Sequence, residues 1–545
     1  MENKKETSYK WVALIVVAMA LFMVSLDMSI VNLAISKMML TFNATLDQIQ
    51  WVLSAYTLAL GITMPVSGYL SDRFGTKKVI IISIILFTLG SLLCGISWNT
   101  ASIVVFRIIQ GLGGGLIIPV SMAFLLNTFD ESERGVALAA VGIANLVAPA
   151  LGPTFGGYLI ENFNWRFVFM INIPVGVICI ILAFIILRET ELKFSRHFDL
   201  VGLLTSSIGL GSTLYVLGKG NIDWGDIHNI MFMIIGVSFL IMFIFNELLI
   251  PEPMLDLKLF KNYTFAMSNI ILNIAILALF GGIFLVPIFL QQIKGLNPFQ
   301  TGMVLFPEAI ATAVGMVISS KLSKKFGVKI FAILALILLA FNSYSMSKIT
   351  LDTSNTAITM LLMVRGIGVG FLLIPVQMAA FNSLPKEVMS NASALLNTVK
   401  QIGTSIGITI ITSVMQQRNT INYANLANQV NMFNPNSLYL SKMIQGVLMQ
   451  KGLSQASAQG GALTLIYGMV TKLAQLQSLN DTMMVITIIT LVVILPTLLL
   501  KGSNNQKDDE SAIMLEENNN QDDDESAMKL TGSNNQEDGS NLILK

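Results

Sequence analysis

The chain alternates long apolar runs with short polar ones. Runs of about 20 residues, long enough to cross a ~30 Å hydrocarbon core as helices, lie near 11–35, 49–70, 79–98, 101–123, 136–160, 167–187, 199–218, 229–249, 265–293, 302–320, 329–347, 357–381, 391–415 and 482–500. These fourteen runs predict an all-α polytopic membrane protein. An internal repeat organises them. Ser67-Gly68-Tyr69-Leu70-Ser71-Asp72-Arg73-Phe74-Gly75 is echoed by Ser319 to Gly327, and Arg107, Gly111, Gly113, Gly115 and Pro119 are echoed by Arg365, Gly366, Gly368, Gly370 and Pro375. The pattern predicts two pseudo-symmetric six-helix bundles flanking two inserted helices, an architecture suited to alternating access around a site between the halves. The expected organisation is an N-terminal bundle over 1–190, a linker with inserted helices 7 and 8 over 191–262, and a C-terminal bundle over 263–501. The last contains a long extracytoplasmic loop, 416–481, whose apolar stretches suit an amphipathic hairpin. An acidic tail follows over 502–545.

Charge sets the orientation. With the N-terminus cytoplasmic, the short inside loops hold fourteen Lys and Arg and the short outside loops five, so both termini are expected inside a cytoplasmic membrane. The remaining composition fits: 54% hydrophobic, 12% charged and a mean hydropathy of +0.71 exclude an ordinary soluble domain. The net charge of +1 conceals a tail over 501–545 with eleven acids and four lysines. That tail repeats Gly-Ser-Asn-Asn-Gln and Asp-Asp-Glu-Ser-Ala, a composition that cannot bury a core and is expected to be disordered. Cys94 and Cys179 both fall in apolar runs, so neither a disulfide framework nor a metal site is expected.

The run Val136 to Ile160 carries Ala144, Ala148, Gly152 and Gly156 at four-residue spacing, a bare face on which another helix can pack closely. Pro149 and Pro153 kink it. Small-residue packing alone accounts for such a face, but Gly152-Pro153-Thr154-Phe155-Gly156-Gly157 also resembles the antiporter motif on the fifth helix of exporters of the major facilitator superfamily. That resemblance implies a helix at the interface of the two halves that limits leak. Gly68 to Lys78 is similar to the superfamily's signature loop between helices 2 and 3, which implies a gating latch made by Gly68, Asp72, Arg73 and Gly75; a solvated basic loop is the alternative.

Asp27 lies about sixteen residues into the first span, and a carboxylate at that depth is costly unless paired, hydrated or protonated. Its setting, Ser25 to Ile35, resembles the motif of the fourteen-helix drug:proton antiporters of the EmrB/QacA type, although Ser29 and Ser36 stand where the family usually has Thr and Pro. Arg107, with Gln110 and Gly111 to Gly115, resembles that family's helix 4 motif, whose arginine is assigned to proton coupling. The glycines are not a phosphate loop, since no Lys-Ser or Lys-Thr follows them. An arginine beside a membrane carboxylate favours its charged form and its withdrawal favours protonation, so Asp27 and Arg107, alternately paired and apart, offer two proton affinities. A structural acid is the alternative role for Asp27. Its replacement by Asn is expected to remove the titratable group with little change in packing.

Glu308, after Pro307, is a second membrane acid and a candidate for proton coupling or for holding a cationic substrate. Lys400 lies about halfway into the thirteenth span and needs a partner. Asn32, Gln377, Asn397 and Gln401 are cavity candidates, with inter-helix hydrogen bonding the competing role. Trp165 to Gly176 also resembles the family's entry into helix 6. Together the resemblances imply a proton-coupled multidrug efflux transporter that exports lipophilic, often cationic compounds by alternating access. An exporter of one endogenous metabolite, lipid or peptide, or a membrane sensor or scaffold acting through the tail, are the other readings. No enzyme is expected, because no nucleophile is paired with a base. The expected partners are the lipid bilayer and small-molecule drugs, with no ATP, nucleic acid, metal or cofactor beyond the proton motive force, and a monomer suffices.

Overall fold

The computed structural model describes residues 2–189, 199–219, 222–431 and 433–500. The tail 502–545 and most of the linker after Glu189 lie outside the described residues. Every expected apolar run falls on a helix: α1 Glu2–Phe42, α2 Leu46–Thr63, α3 Ser67–Phe74, α4 Thr76–Gly95, α5 Thr100–Thr128, α6 Glu131–Asn162, α7 Phe167–Met170, α8 Asn172–Ile186, α9 Leu200–Leu217 and α10 Ile227–Leu249. The second half holds α11 Tyr263–Ile288, α12 Pro298–Phe326, α13 Val328–Met346, α14 Asn355–Asn382, α15 Met389–Gln429, α16 Pro435–Gln450 and α17 Gln455–Leu498. Among the described residues ten helices are long and apolar enough to cross a membrane, or eleven when the pair α2 and α3, bent by 54°, is one span. The expected fourteen is consistent with that number but exceeds it. The bend falls at Pro65, which has no N–H to continue the ladder.

Sequence sets the helix starts. Thr45 with Gln48, Asn99 with Ser102 and Asn297 with Gln300 form capping boxes that satisfy otherwise orphaned N–H groups. Two glycines break the chain at equivalent places. Gly75 separates α3 from α4 at φ +93°, and Gly327 separates α12 from α13 at φ +87°, a region closed to most side chains.

The bundles are duplicates in their packing as well. Gly111 and Gly115 of α5 rest against the backbone of Tyr56 and Leu60 on α2, while Gly113 rests against Ser83 and Phe87 on α4. In the second half Gly366 and Gly370 of α14 meet α12 at Glu308 and Met316, and Gly368 meets α13 at Ala335. Each of these glycine-rich helices is thereby wedged between two neighbours. The inserted pair, α9 and α10, packs together and leans on α2 and α15.

Residues 416–481, expected as a loop, are almost wholly helical. α15 runs on to Gln429, α16 follows with no buried residue, and α17 begins at Gln455. Continuous i to i+4 bonding satisfies the backbone there, and α16 packs on α17.

Candidate functional site

Asp27 is fully buried and is the hub of a polar cluster. Its Oδ2 accepts from Arg107 Nη1 at 2.6 Å, and its Oδ1 accepts from Gln110 Nε2 at 2.9 Å and Asn172 Nδ2 at 3.0 Å. Arg107 has other partners too. It donates to Gln110 Oε1 at 2.7 Å and through Nε to the Val52 carbonyl at 3.0 Å, with its guanidinium 4.0 Å from the Tyr56 ring centroid. Ser91 Oγ closes the network by accepting from Gln110 Nε2 at 2.6 Å. Five helices, α1, α2, α4, α5 and α8, thus converge on one ion pair, and a charge at that depth is tolerated because both members are paired and further hydrogen-bonded.

The helix carrying Asp27 is seated by the bare face of α6. Gly152 abuts Ser29, and Gly156 abuts Ile30 and Leu33, so that face serves α1 within its own bundle and not the opposite half. The two prolines make a second attachment. Pro153 has no N–H, which frees the Pro149 carbonyl four residues back, and Ser29 Oγ donates to that carbonyl at 3.0 Å. Ser29 therefore keeps the hydroxyl that the usual Thr would supply. Pro153's side chain lies outside the described residues, and Gly157 is half-buried.

The first part of α6 does meet the other half. Gly142 receives the Met316 side chain and Gly135 that of Met378, and methionine's pliant thioether fills such notches well. Contacts between the bundles gather at the end bearing Arg73, Lys77, Lys78, Lys321 and Lys325, the basic end. There Arg134 Nη1 donates to Asn382 Oδ1 at 3.2 Å, Lys324 reaches the Ser132 carbonyl, and Ser393 Oγ donates to the Pro119 carbonyl at 2.8 Å. Gly68 lies against Asn391 and Ala394, a separation that a Cβ would close to 3.0 Å. Asp72 is buried, and Gly75 holds its positive φ beneath Glu189, whose Oε1 accepts from Lys77 N at 3.0 Å. Asp130 joins Lys10 at 2.7 Å and Lys386 at 4.0 Å, and the Lys10 ammonium holds its carboxyl below the usual range. The structure is closed at the basic end. Toward the other end α6 turns to α1, leaving Phe155, Tyr158, Met303, Phe306 and Ile310 exposed on α6 and α12.

In the second half Glu308 Oε1 accepts from Arg365 Nη1 at 2.6 Å, with the two side chains 15% and 5% exposed. In the register of the repeated glycines Arg365 corresponds to Gln110, about one turn beyond Arg107, and the acids differ as well: Asp27 comes from the first helix of its bundle and Glu308 from the second. Glu308's charge is thus already compensated in this state. Asn397 is buried and satisfied by Ser393 on its own helix at 2.9 Å; Gln377 is buried; Gln401 lies beside Gly61; Asn32 is exposed and bonds the Met28 carbonyl at 3.3 Å.

Sequence reasoning did not single out Gln110, Asn172, Ser91 or Tyr56. The first two stand inside stretches that carried a resemblance; the others have no local signal. It also missed Asp199 and Glu247, both buried. Asp199 caps α9 and accepts from Asn246 at 2.7 Å, while Glu247 accepts from Leu255 N at 3.0 Å, tying the inserted pair to the segment before α11.

Duplicated helix bundles, membrane-length apolar helices and ion pairs buried between them define a multi-pass membrane transporter. The Major Facilitator Superfamily model matches residues 17–408, and the chain belongs to that superfamily. Within it the chain groups with the EmrB-type transporters. It is 30% identical to the multidrug export protein EmrB of Escherichia coli K12 over 456 residues, 82% of this chain and 87% of that one. It is 32% identical over 512 residues to an uncharacterised MFS-type transporter, YhcA, of Bacillus subtilis 168, covering 93% and 96% of the two chains. Among solved structures the human organic anion transporter MFSD10 superposes with a TM-score of 0.56 at 12% identity, over 88% of this chain and 99% of that one, which shows the shared fold.

Proposed function

We propose that this chain exports lipophilic small molecules across a cytoplasmic membrane by alternating access, with proton entry driving the exchange. The observation that carries the reading is the buried pair of Asp27 and Arg107 in a fold closed at one end. With the basic end in the cytoplasm, the state described faces outward, and a proton arriving from outside competes with Arg107 for Asp27. Protonation removes the charge that binds α1 to α5. Arg107 keeps Gln110, the Val52 carbonyl and the Tyr56 ring as partners, so the ion pair can break without stranding the guanidinium. Movement of α1 and α6 then opens the seal made by Arg134, Lys324, Ser393 and Gly68, and substrate enters from the cytoplasmic side. Glu308 and Arg365 offer a second site of the same kind in the other bundle.

On this reading the protein works as a monomer in the bilayer, needs neither ATP nor a bound cofactor, and has small-molecule drugs as substrates. The similarity to EmrB supports export, and the buried pair supports proton coupling. The test is efflux of lipophilic fluorescent dyes of either charge from proteoliposomes with and without an inward proton gradient. Gradient-dependent efflux is expected. Efflux that continues undiminished without the gradient and requires ATP refutes the proposal.

A further inference from the structure

The charges of the translocation path do not cancel. Asp27 is paired with Arg107 and Glu308 with Arg365, but Lys400, half-buried on α15, has neither a hydrogen bond nor an ion pair among the described residues. α5, α9, α11 and α15 contain no Asp or Glu, and the acids of the other elements packed on α15 stand at other levels: Asp47 near the start of α2, Asp72 on α3 and Glu387 on the turn before α15 at the basic end, and Asp481 within α17, which accepts at 3.0 Å from Asn422, 22 residues beyond Lys400.

Helical periodicity places the side chain. Lys400 is seven residues, two turns, from Ser393 and therefore shares its face. Ser393 is bonded to Pro119 on α5, Gln401 is turned toward Gly61 on α2, and Gly403 toward Asn273 on α11. Lys400 thus points between α5 and α11, one from each bundle, about 10 Å above the Ser393 seal. That places it between the two halves, just above their closed end. An ammonium on a four-carbon stem, unneutralised at low dielectric, is costly to keep and attracts an anion strongly.

We propose that Lys400 anchors the substrate, and that the substrate class is the amphipathic organic anion: an apolar body carrying a carboxylate, sulfonate or phosphate. This rests on the export reading and narrows it away from the lipophilic cations that the resemblance implies. A cation at the same place meets a like charge, whereas an anion completes the third ion pair and leaves the path neutral.

The experiment measures binding of anilinonaphthalene sulfonate and of ethidium to the full-length protein in nanodiscs, with empty nanodiscs subtracted. Lys400→Gln is expected to weaken binding of the sulfonate about tenfold or more, the scale of one charge-assisted hydrogen bond, and Lys400→Arg to restore it. Ethidium is expected to bind the Gln variant at least as well as wild type, which also shows that the variant is folded. The proposal is overturned if wild type does not bind the sulfonate, or if the Gln variant binds it as tightly as wild type. Proteoliposome efflux separates the two levels of inference. Lys400-dependent binding without proton-driven efflux sinks the export reading and keeps the anchor; proton-driven efflux of ethidium with no sulfonate binding sinks only the anchor.

Discussion

The Asp27 cluster makes a quantitative expectation possible. All three partners of the Asp27 carboxylate are donors, Arg107, Gln110 and Asn172. Asp27→Asn is therefore not the neutral change that its shape suggests, because it places an amide N–H against a wall of N–H groups and leaves Arg107 without its counter-charge. Removing one member of a buried, fully bonded pair costs about 3–5 kcal/mol. Arg107→Gln strands the carboxylate and costs a similar amount. In Asp27→Asn with Arg107→Gln no charge is left, and the two amides can pair, so the double variant is expected to recover about 3 kcal/mol relative to the sum of the singles. Denaturant unfolding of all four proteins in one detergent, followed by tryptophan fluorescence, gives the cycle. Additivity within about 0.5 kcal/mol would mean that the pair is not energetically coupled and that the hub is misassigned. Transport by the same proteins separates stability from coupling: the double variant is expected to fold well yet lose proton-driven efflux.

Other consequences can be checked more quickly. Gly152→Val adds carbon into Ser29 and is expected to displace α1 from α6, lowering proton-driven efflux more than substrate binding; equal losses in both would point to general misfolding. Gly113→Leu drives a side chain into the backbone of α4, where a Cβ alone would stand 2.5 Å from Phe87 N, and is expected to abolish accumulation of folded protein in membranes. Maleimide should scarcely label wild type, since Cys94 and Cys179 are buried. Asn32→Cys should react readily in the state described and Ser393→Cys should not; the reverse pattern would show the opposite end to be closed. Asp130's lowered pKa means that its link to Lys10 stabilises the fold above the ordinary carboxylate range and is lost as pH falls through the lowered value. Melting temperatures of wild type and Asp130→Asn should therefore differ slightly at neutral pH and converge in acid, and a gap that widens in acid would contradict the assignment.

The sequence by itself determined a good deal here. Apolar run length located the membrane-length helices, because a chain in a bilayer must satisfy its backbone internally and has few ways of doing so. The duplicated Gly-rich segments determined which helices pack most closely, and the membrane depth of Asp27, Arg107 and Glu308 marked them as costly and therefore worth explaining. Only the tertiary structure decided the partners. Nothing in the local sequence tells Glu308 to meet Arg365, since 57 residues separate them and the arginine of the other bundle takes its acid from a different helix. Nothing local shows that Gly152 and Pro153 act by seating Ser29, or that the apolar stretches of 416–481 are built largely by extension of the flanking helices. Above all, Lys400 needed a partner on sequence grounds, and only the arrangement of helices around it showed that none of the described residues supplies one. Pairing is a relation between distant segments, whereas helix formation is a property of near neighbours, and that difference in range separates what could be read from what had to be seen.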